Sequence, residues 1–403
     1  MAADPPKGLP PGTDPIGANL FDGTFPLPTA VLDAAALSHN LTTMAGYCAA
    51  HGVLLAPHGK TTMSPQLIGR QLDLGAWAVT AATAWQAGVL ASSGVPRILI
   101  ANQVVDAGSL ALLDRLLAGR ADIEVYCYAD SPEALAALLG GLAPARLARL
   151  RVLVELGVTG GRTGLRDDGQ ALALARRIAA GPAVLAGVAA FEGIIDEPDL
   201  AAGLARVDTL LGRVAGLCGA IDAAGLAGTE PIATVGGSAY FDRVVRLLPR
   251  ALAGTAFRTV LRSGCYVTHD AGSYHALSPF GAGGREAPRL REALHVWAPV
   301  LSRPEPGLAI AGLGRRDASA DAGLPVPQMR RTPGGGCEPL ASTVVTAVND
   351  QHAYLAVPPS TALAVSDLVR FGISHPCTTF DKWRAIPVVD PDGTVVDVAR
   401  TSF

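Results

Sequence analysis

One theme recurs eight times along most of this chain, and it constrains the fold more than any other feature. From Val31 to about His269, a short apolar run is followed by a polar or glycine-rich break and then by a stretch rich in Ala and Leu. Near-continuous apolar runs are typical of strands buried on both faces of a parallel sheet. The stretches between them, such as Ala107–Leu117 and Gln170–Ala180, have the composition and length of helices. The runs begin near Val53, Trp77, Arg97, Ile123, Leu150, Val188, Pro231 and Thr259.

Eight such βα units favour a closed (β/α)₈ TIM barrel, and an open doubly wound sheet is the alternative. After about Gly272 the chain changes to short β-rich segments separated by Pro and Gly turns, which predicts a second, mostly antiparallel β domain. The predicted strand segments are Leu294–Arg303, Gly307–Gly312, Ser342–Val357, Asp367–Ile373, Ala385–Val389 and Thr394–Val398. We therefore expect an N-terminal tail over residues 1–28, a barrel over 29–272 and a β domain over 273–403. Within the last domain, Pro279–Arg289 is expected to be an exposed connection and Arg330–Pro339 a flexible loop.

Composition excludes several classes of protein. The chain is 49% hydrophobic, so it can bury a large core, and its formal net charge of −3 offers no basic surface for nucleic acid. The apolar runs are shorter than the roughly 18 residues that a membrane span needs, and the N-terminal region has no stretch suited to export. The six cysteines include no Cys-x-x-Cys pair and fit reduced thiols. These features predict a cytoplasmic protein.

Lys60 follows the first predicted strand in the run Pro57-His58-Gly59-Lys60-Thr61. A lysine at the carboxyl end of a buried strand must be solvated, paired or chemically used. A solvated surface lysine is the ordinary interpretation, but the chain has only two other lysines, Lys7 and Lys382, and His58 is close by. A desolvated lysine with a lowered pKa is what an imine-forming nucleophile requires.

Glycine loops follow three of the later strands. The seventh strand leads into Gly236-Gly237-Ser238 and the eighth into Ser263-Gly264-Cys265-Tyr266, where close backbone approach and helix N-termini suit a phosphate, although plain turns are the alternative. The fifth strand leads into a glycine loop that carries Arg162, either a surface cation or a group facing a ring nitrogen or a carboxylate.

His375 and Cys377 lie two residues apart in the β domain. On an extended segment both side chains leave the same face, so both can bind one metal, although an ordinary buried pair has the same pattern. Two protein ligands describe an open catalytic site, and zinc suits a thiolate with an imidazole best.

Taken together, these residues resemble the D-serine dehydratase/D-threonine aldolase family, the metal-assisted branch of the alanine-racemase-like pyridoxal-phosphate enzymes. The resemblance covers nearly the whole chain, and the Lys60 motif and the His375/Cys377 motif are specific in combination. The Phe191-Glu192-Gly193 and Ser374–Phe380 segments are most similar to bacterial proteins described as amino-acid deaminases. Two positions depart from the family pattern, which often has His where this chain has Thr62 and Tyr where it has Phe191. The other matching segments are Phe25–Asp33, Asn40, Met44, Ile98–Gln103, Gly161–Gly164, Gly236–Ser238 and Ser263–Tyr266.

The resemblance implies a barrel of alanine-racemase type, a homodimer, and a lyase acting on D-3-hydroxy amino acids. It implies that Lys60 carries pyridoxal 5'-phosphate as an imine near His58 and that Arg162 faces the pyridine nitrogen. It places a divalent metal on His375 and Cys377. Around the phosphate it implies Gly237, Ser238, Cys265 and Tyr266.

Two reactions fit these parts: a D-serine-type dehydration to a keto acid and ammonia, and a D-threonine aldolase reaction that releases glycine and an aldehyde. A racemase needs a second base on the opposite face of the cofactor and fits less well. A non-catalytic pyridoxal-phosphate-binding protein is the alternative of another class, although such carriers resemble the barrel alone.

Overall fold

The computed structural model describes residues 6–10, 12, 14–195 and 197–403. The chain divides into two compact units. The barrel unit comprises Met44–Lys60 and Ile68–Gly264, and the second unit comprises the described residues up to Thr43, Thr61–Leu67 and Cys265–Phe403. The division falls within two helices, Ala34–Ala50 and Pro65–Asp73.

Within the described residues, the barrel unit contains an eight-stranded sheet whose pairs are all parallel. The first strand pairs with the last, and the sheet closes between the first and second strands through hydrogen bonds from the Trp77 N–H to the Leu55 carbonyl (2.7 Å) and from the Thr80 N–H to the Pro57 carbonyl (2.9 Å). The predicted barrel is therefore confirmed, and the open sheet is wrong. The strands are Leu54–Leu55, Val79–Ala81, Arg97–Gln103, Glu124–Ala129, Leu150–Leu156, Val184–Ala190, Ile232–Thr234 and Arg258–Leu261.

Both faces of these strands are buried, which explains their unbroken apolar sequences. Leu99, Tyr126 and Leu153 lie on three neighbouring strands and belong to one core cluster. Ile98 and Val125, which precede Leu99 and Tyr126 in the chain and therefore face the other side of the sheet, are equally buried. The helices of this unit, apart from the two at the division, are Ala84–Ser92, Ala107–Gly119, Pro132–Gly140, Pro144–Leu147, Asp168–Ala179, Leu200–Ala223 and Phe241–Ala251, with a 3₁₀ turn at Glu192–Ile194.

Several barrel helices begin at a side-chain cap. Thr83, Asp106, Ser131, Asp167 and Asp199 each accept a hydrogen bond from a backbone N–H in the first turn of the helix that follows. These caps satisfy donors that have no partner inside the helix. They define where each of these loops ends, and Asp167 does so for the loop that carries Arg162.

The second unit is built on a mostly antiparallel sheet, as predicted. Its central strand Leu294–Glu305 pairs with Leu368–Gly372 and with Thr29–Asp33, and Thr29–Asp33 makes a parallel pair with Ala385–Val389. The remaining strands are Leu308–Ala311, Val326–Arg331, Cys337–Pro339, Val344–Val348, Ala353–Ala356 and Val395–Arg400. Short helices lie at Ser273–Leu277 and Cys377–Phe380, and 3₁₀ turns at Gly59–Thr61 and Cys265–Val267.

Three segments differ from the expectations. Thr29–Asp33 was expected in the barrel but is a strand of the second sheet, because its apolar side chains are buried there. The described part of the N-terminal tail packs on the same sheet, where Leu20 and Phe25 are buried. Arg330–Pro339 is not a loop throughout: Met329–Arg331 pairs with Cys337–Pro339 in a hairpin, and only its turn is irregular.

The connection that begins at Pro279 has no regular structure up to Leu294, and it is largely exposed beyond Gly281. Its first part is an exception, since Phe280 is fully buried. No helix in the described part of the chain combines the length and apolar character that a bilayer span requires.

Candidate active site

Lys60 lies in the short 3₁₀ turn that follows the first barrel strand, and its side chain is exposed. The turn packs closely on the next strand: a Cβ at Gly59 would lie 3.0 Å from the Val79 side chain and 3.3 Å from the Thr80 carbonyl. The glycine therefore allows the turn to pack closely on the barrel, and Lys60 lies at the carboxyl end of the strand, where barrel enzymes have their active sites.

His58 is an uncharged residue among positive charges. It forms a parallel bridge with Thr80, and its buried Nδ1 has no hydrogen-bond partner among the described residues. Burial, together with the charges of Lys60, Arg262 and Arg162, holds the pKa of His58 well below its usual range. The barrel unit thus concentrates positive charge around a neutral imidazole, an arrangement that suits an anionic ligand.

Arg162 and Arg262, two of the cations that act on His58, follow different strands of the barrel. Arg162 is exposed, and its guanidinium lies 4.7 Å from the centroid of the Phe191 ring. Arg262 is buried and donates hydrogen bonds to Thr234 Oγ1 (2.7 Å) and to the Ala190 carbonyl (2.6 Å). Arg262 was not among the predicted site residues, although a charged residue directly after the eighth apolar run was a signal.

The Gly236-Gly237 loop already binds a carboxylate of the protein itself. The buried Glu192 carboxylate accepts hydrogen bonds from the N–H groups of Gly236 (3.1 Å) and Gly237 (2.6 Å). A Cβ at Gly237 would lie 2.8 Å from the Phe191 ring, so glycine is needed for this close approach. In this arrangement a phosphate near the loop would take its hydrogen bonds from groups other than these two N–H groups. Ser238 is half-buried in the same loop, which leads into the helix Phe241–Ala251.

In the second unit, the buried Cys265 thiol lies 3.6 Å from the Cys377 thiol, and the Thr61 hydroxyl lies 3.5 Å from the Cys377 sulfur. The Cys265 thiol, the His375 imidazole and the Thr61 hydroxyl lower the pKa of Cys377 against the effect of burial. The Cys377 neighbour and burial raise the pKa of Cys265. Cys377 is therefore the thiolate of the pair.

His375 is oriented by a carboxylate. Its Nδ1 lies 2.7 Å from Asp321 Oδ2, and the other carboxylate oxygen of Asp321 accepts a hydrogen bond from the Thr378 hydroxyl at 3.0 Å. The Cys377 sulfur first, and then the Asp321 carboxylate, raise the pKa of His375 to about 9. A carboxylate on Nδ1 directs Nε2 towards a metal in many metalloenzymes. Asp321 lies 54 residues from His375, so sequence spacing gave no signal of this contact.

The donors fit an open metal site. Among the described residues, no group of three or more His, Cys, Asp or Glu side chains is arranged to hold a metal. A thiolate and a carboxylate-oriented imidazole can supply two donors and leave other positions to water or substrate, a set that zinc accepts.

The barrel unit also fits a phosphorylated aldehyde cofactor. Besides His58 Nδ1, the hydroxyl of Tyr128 is buried without a partner among the described residues, and Arg262 lies 6.0 Å from the Tyr128 ring. Buried polar atoms of this kind call for a ligand or ordered water. The structure therefore brings His58, Lys60, Arg162, Gly237 and Ser238 into the barrel unit.

The remaining predicted residues lie in the second unit, namely Cys265, Tyr266, His375 and Cys377. Tyr266 is buried next to Cys265 in the 3₁₀ turn Cys265–Val267. The chain passes from one unit to the other between Lys60 and Thr61 and again between Gly264 and Cys265.

Comparison with known proteins gives the family. Over 380 residues the chain is 31% identical to a D-threonine aldolase from Arthrobacter sp., and the match covers 93% of this chain and 92% of that protein. The chain belongs to the D-serine dehydratase/D-threonine aldolase family. Residues 293–389, which include His375 and Cys377, match the family model of a serine dehydratase domain.

Similarity to solved structures shows the fold class of this family member. The D-threonine aldolase from Filomicrobium marinum is similar with a TM-score of 0.80 and 25% identity, covering 96% of this chain and 98% of that one. Alanine racemase from E. faecalis is similar with a TM-score of 0.58 and 15% identity, covering 88% and 92%. At that identity the likeness shows the fold alone, and it confirms the predicted alanine-racemase type of barrel.

Proposed function

We propose that this family member is a pyridoxal-phosphate-dependent, metal-assisted lyase of D-3-hydroxy amino acids, and that it acts as a D-serine-type dehydratase. The observation that carries the proposal is Lys60, which follows the first barrel strand and lies close to His58, a histidine that burial and the surrounding cations keep neutral. An amine at that position is suited to covalent attachment of an aldehyde.

Lys60 would hold the cofactor aldehyde, His58 would lie near the ring, and Arg162 would face the pyridine nitrogen. By family pattern the phosphate would lie near Gly237, Ser238, Cys265 and Tyr266. When bound, pyridoxal phosphate withdraws electrons from the bonds at the substrate Cα. Lys60 Nζ would also be the group that takes the Cα proton as general base.

Arg162 limits what the ring can do. A guanidinium keeps its protons at any ordinary pH, since its pKa is above about 12. It can therefore hold a ring nitrogen by hydrogen bonding without protonating it, and departure of the substrate hydroxyl needs help from elsewhere in the protein.

His375 and Cys377 would hold a divalent metal, which we propose is zinc and which would supply Lewis-acid chemistry for departure of the substrate's β-hydroxyl. Asp321 keeps the imidazole oriented for this task. Within the second unit, the Thr61 hydroxyl lies 3.5 Å from the Cys377 sulfur and helps to lower the pKa of that thiol, which favours the thiolate form that a metal binds.

An aldolase reaction is the second candidate, and the 31% identity to a D-threonine aldolase favours it. The two reactions share the lysine and the metal and differ in the bond that breaks. Dehydration breaks the bond between Cβ and oxygen and yields a keto acid and ammonia, whereas aldol cleavage breaks Cα–Cβ and yields glycine and an aldehyde.

The deciding experiment supplies D-serine and D-threonine to the purified protein, with and without a chelator, and quantifies all four products. The dehydratase proposal expects keto acid and ammonia in equal amounts, lost with the chelator. Glycine without keto acid would establish the aldolase instead. Turnover of neither substrate by protein that carries the cofactor would support a non-catalytic pyridoxal-phosphate-binding protein.

A further inference from the structure

A cleft of about 460 Å³ lies on one face of the sheet in the second unit, lined by none of the residues assigned above. Directly paired residues of neighbouring strands present their side chains on the same face of a sheet. Trp297 pairs with Arg370 and Val31 pairs with His295, and all four line the cleft. The sheet register thus builds an aromatic ring, a cation and an imidazole into one wall.

Arg370 is a partly buried cation, and no carboxylate forms an ion pair with it among the described residues. Its Nε is buried and has no hydrogen-bond partner among the described residues. Burial lowers the pKa of Arg370, and Glu292, Asp33 and Cys337 oppose this only through longer-range charge interactions. A partly buried charge without an ion-pair partner costs free energy, so its retention calls for an explanation such as an anionic ligand.

His295 adds a hydrogen-bond acceptor. It is 5% exposed, and its Nδ1 is buried without a partner among the described residues. Burial and the Arg370 charge lower its pKa to about 3, and the ring donates one hydrogen bond to the backbone of Glu292. The imidazole is therefore neutral, and the unpartnered Nδ1 is an acceptor that an N–H or O–H of a ligand would satisfy.

The rest of the cleft suits a flat apolar body. The rings of Phe21 and Trp297 meet edge to face with centroids 5.0 Å apart, and the Arg331 guanidinium lies 4.1 Å from the Phe21 ring. Of the three lining carboxylates, Asp33 accepts the Ala36 N–H, Asp390 accepts two N–H groups of its own turn, and Asp392 is exposed to solvent.

We propose that this cleft is a second ligand site, and that it binds a small aromatic carboxylate bearing a hydroxyl or amino group. Arg370 receives the carboxylate, His295 Nδ1 accepts the hydrogen bond, and Phe21 and Trp297 enclose the ring.

Calorimetric titration of the cofactor-loaded protein tests the site with three probes. We expect saturable binding of 3-hydroxybenzoate, weaker binding of benzoate, which lacks the donor, and none of 3-hydroxybenzamide, which lacks the charge. Arg370→Gln should weaken 3-hydroxybenzoate binding by about tenfold or more, the loss expected for a charge-assisted hydrogen bond. The exposed Arg315→Gln is the matched control and should bind as the unmodified protein does.

Three further variants keep the test decisive. Cys337 is exposed and lines the cleft, so Cys337→Trp should fold and exclude the probe. Lys60→Ala should bind 3-hydroxybenzoate normally, which separates this cleft from the proposed active site. In the absence of probe, Arg370→Met should melt at a temperature no lower than the unmodified protein, because it removes a partly buried charge that lacks a partner.

The proposal is overturned if 3-hydroxybenzoate gives no saturable heat, or if it binds Arg370→Gln as well as the unmodified protein. It is also overturned if Arg370→Gln changes the oligomeric mass in solution, since the cation would then serve an interface between copies of the chain.

Discussion

The thiol of Cys265 lies 3.6 Å from the thiol of Cys377. Family resemblance gave these residues separate tasks, one near a phosphate and one on a metal, and the structure makes them neighbours in the second unit. A metal bound to Cys377 would therefore have the Cys265 sulfur close by. Without the metal, the two thiols are close enough to react with each other.

We expect hydrogen peroxide to join the two cysteines in metal-depleted protein. Each thiol gives up one hydrogen, the peroxide is reduced to two water molecules, and a disulfide forms. Peptide mapping under non-reducing conditions should recover the Cys265–Cys377 linked peptide and lose it in Cys265→Ser. The exposed Cys337→Ser is the control, and a linked peptide that pairs Cys337 instead would contradict the expectation.

Lys60→Ala should abolish covalent attachment of the cofactor and lower activity by about 10²–10⁴-fold, because the variant loses both the attachment point and the base. The measurement is the visible absorbance of protein mixed with pyridoxal phosphate, followed by borohydride reduction and peptide mapping. Lys382→Ala should keep the absorbance and the label. A label on another residue of the unmodified protein would remove the basis of the proposed chemistry.

Asp321→Asn should weaken metal binding by about 10–100-fold, the range measured for residues that orient a metal-bound histidine. The carboxylate would no longer hold His375 Nδ1, so the imidazole would lose its fixed orientation. Competition with a chromogenic chelator gives the affinity without relying on turnover. Asp392→Asn is an exposed control, and an unchanged affinity in Asp321→Asn would show that the carboxylate does not support the metal.

His295 should make the protein less stable in acid. Its pKa falls from 6.5 to about 3 on burial, so between these values the unfolded chain binds a proton that the folded chain does not. Stability therefore decreases as pH falls through this window, by up to about 1.4 kcal/mol per pH unit. His295→Gln should flatten this part of the profile in urea unfolding, whereas the exposed His352→Gln should not. Identical slopes in all three proteins would contradict the assignment.

The barrel could be predicted because its strands are buried on both faces, so that Arg97–Gln103 or Leu150–Leu156 is visible as an apolar run without knowledge of its neighbours. Lys60 could be found for the same reason, since its position depends on the strand just before it. The same local signal fails for Thr29–Asp33, because an apolar pentapeptide does not specify which sheet will bury it. The hairpin at Arg330–Pro339 was missed because its strands are polar and its turn rich in glycine.

Contacts between distant segments account for what sequence reasoning missed in the site. Asp321 meets His375 across 54 residues, and Cys265 meets Cys377 across 112. Glu192 was noticed only as part of a family motif, because nothing in its neighbourhood showed that its carboxylate would bind the Gly236-Gly237 loop.

The placement of Thr29–Asp33 between Leu294–Glu305 and Ala385–Val389 bears on how the protein is made. This strand is made before both of its partners, and its backbone is paired on both sides only after Ala385–Val389 has been made. Until then its apolar side chains and free hydrogen-bonding edges are exposed, so the newly made chain should depend on chaperones that shield unpaired strands. Fragments that end at the close of the barrel should aggregate through this segment.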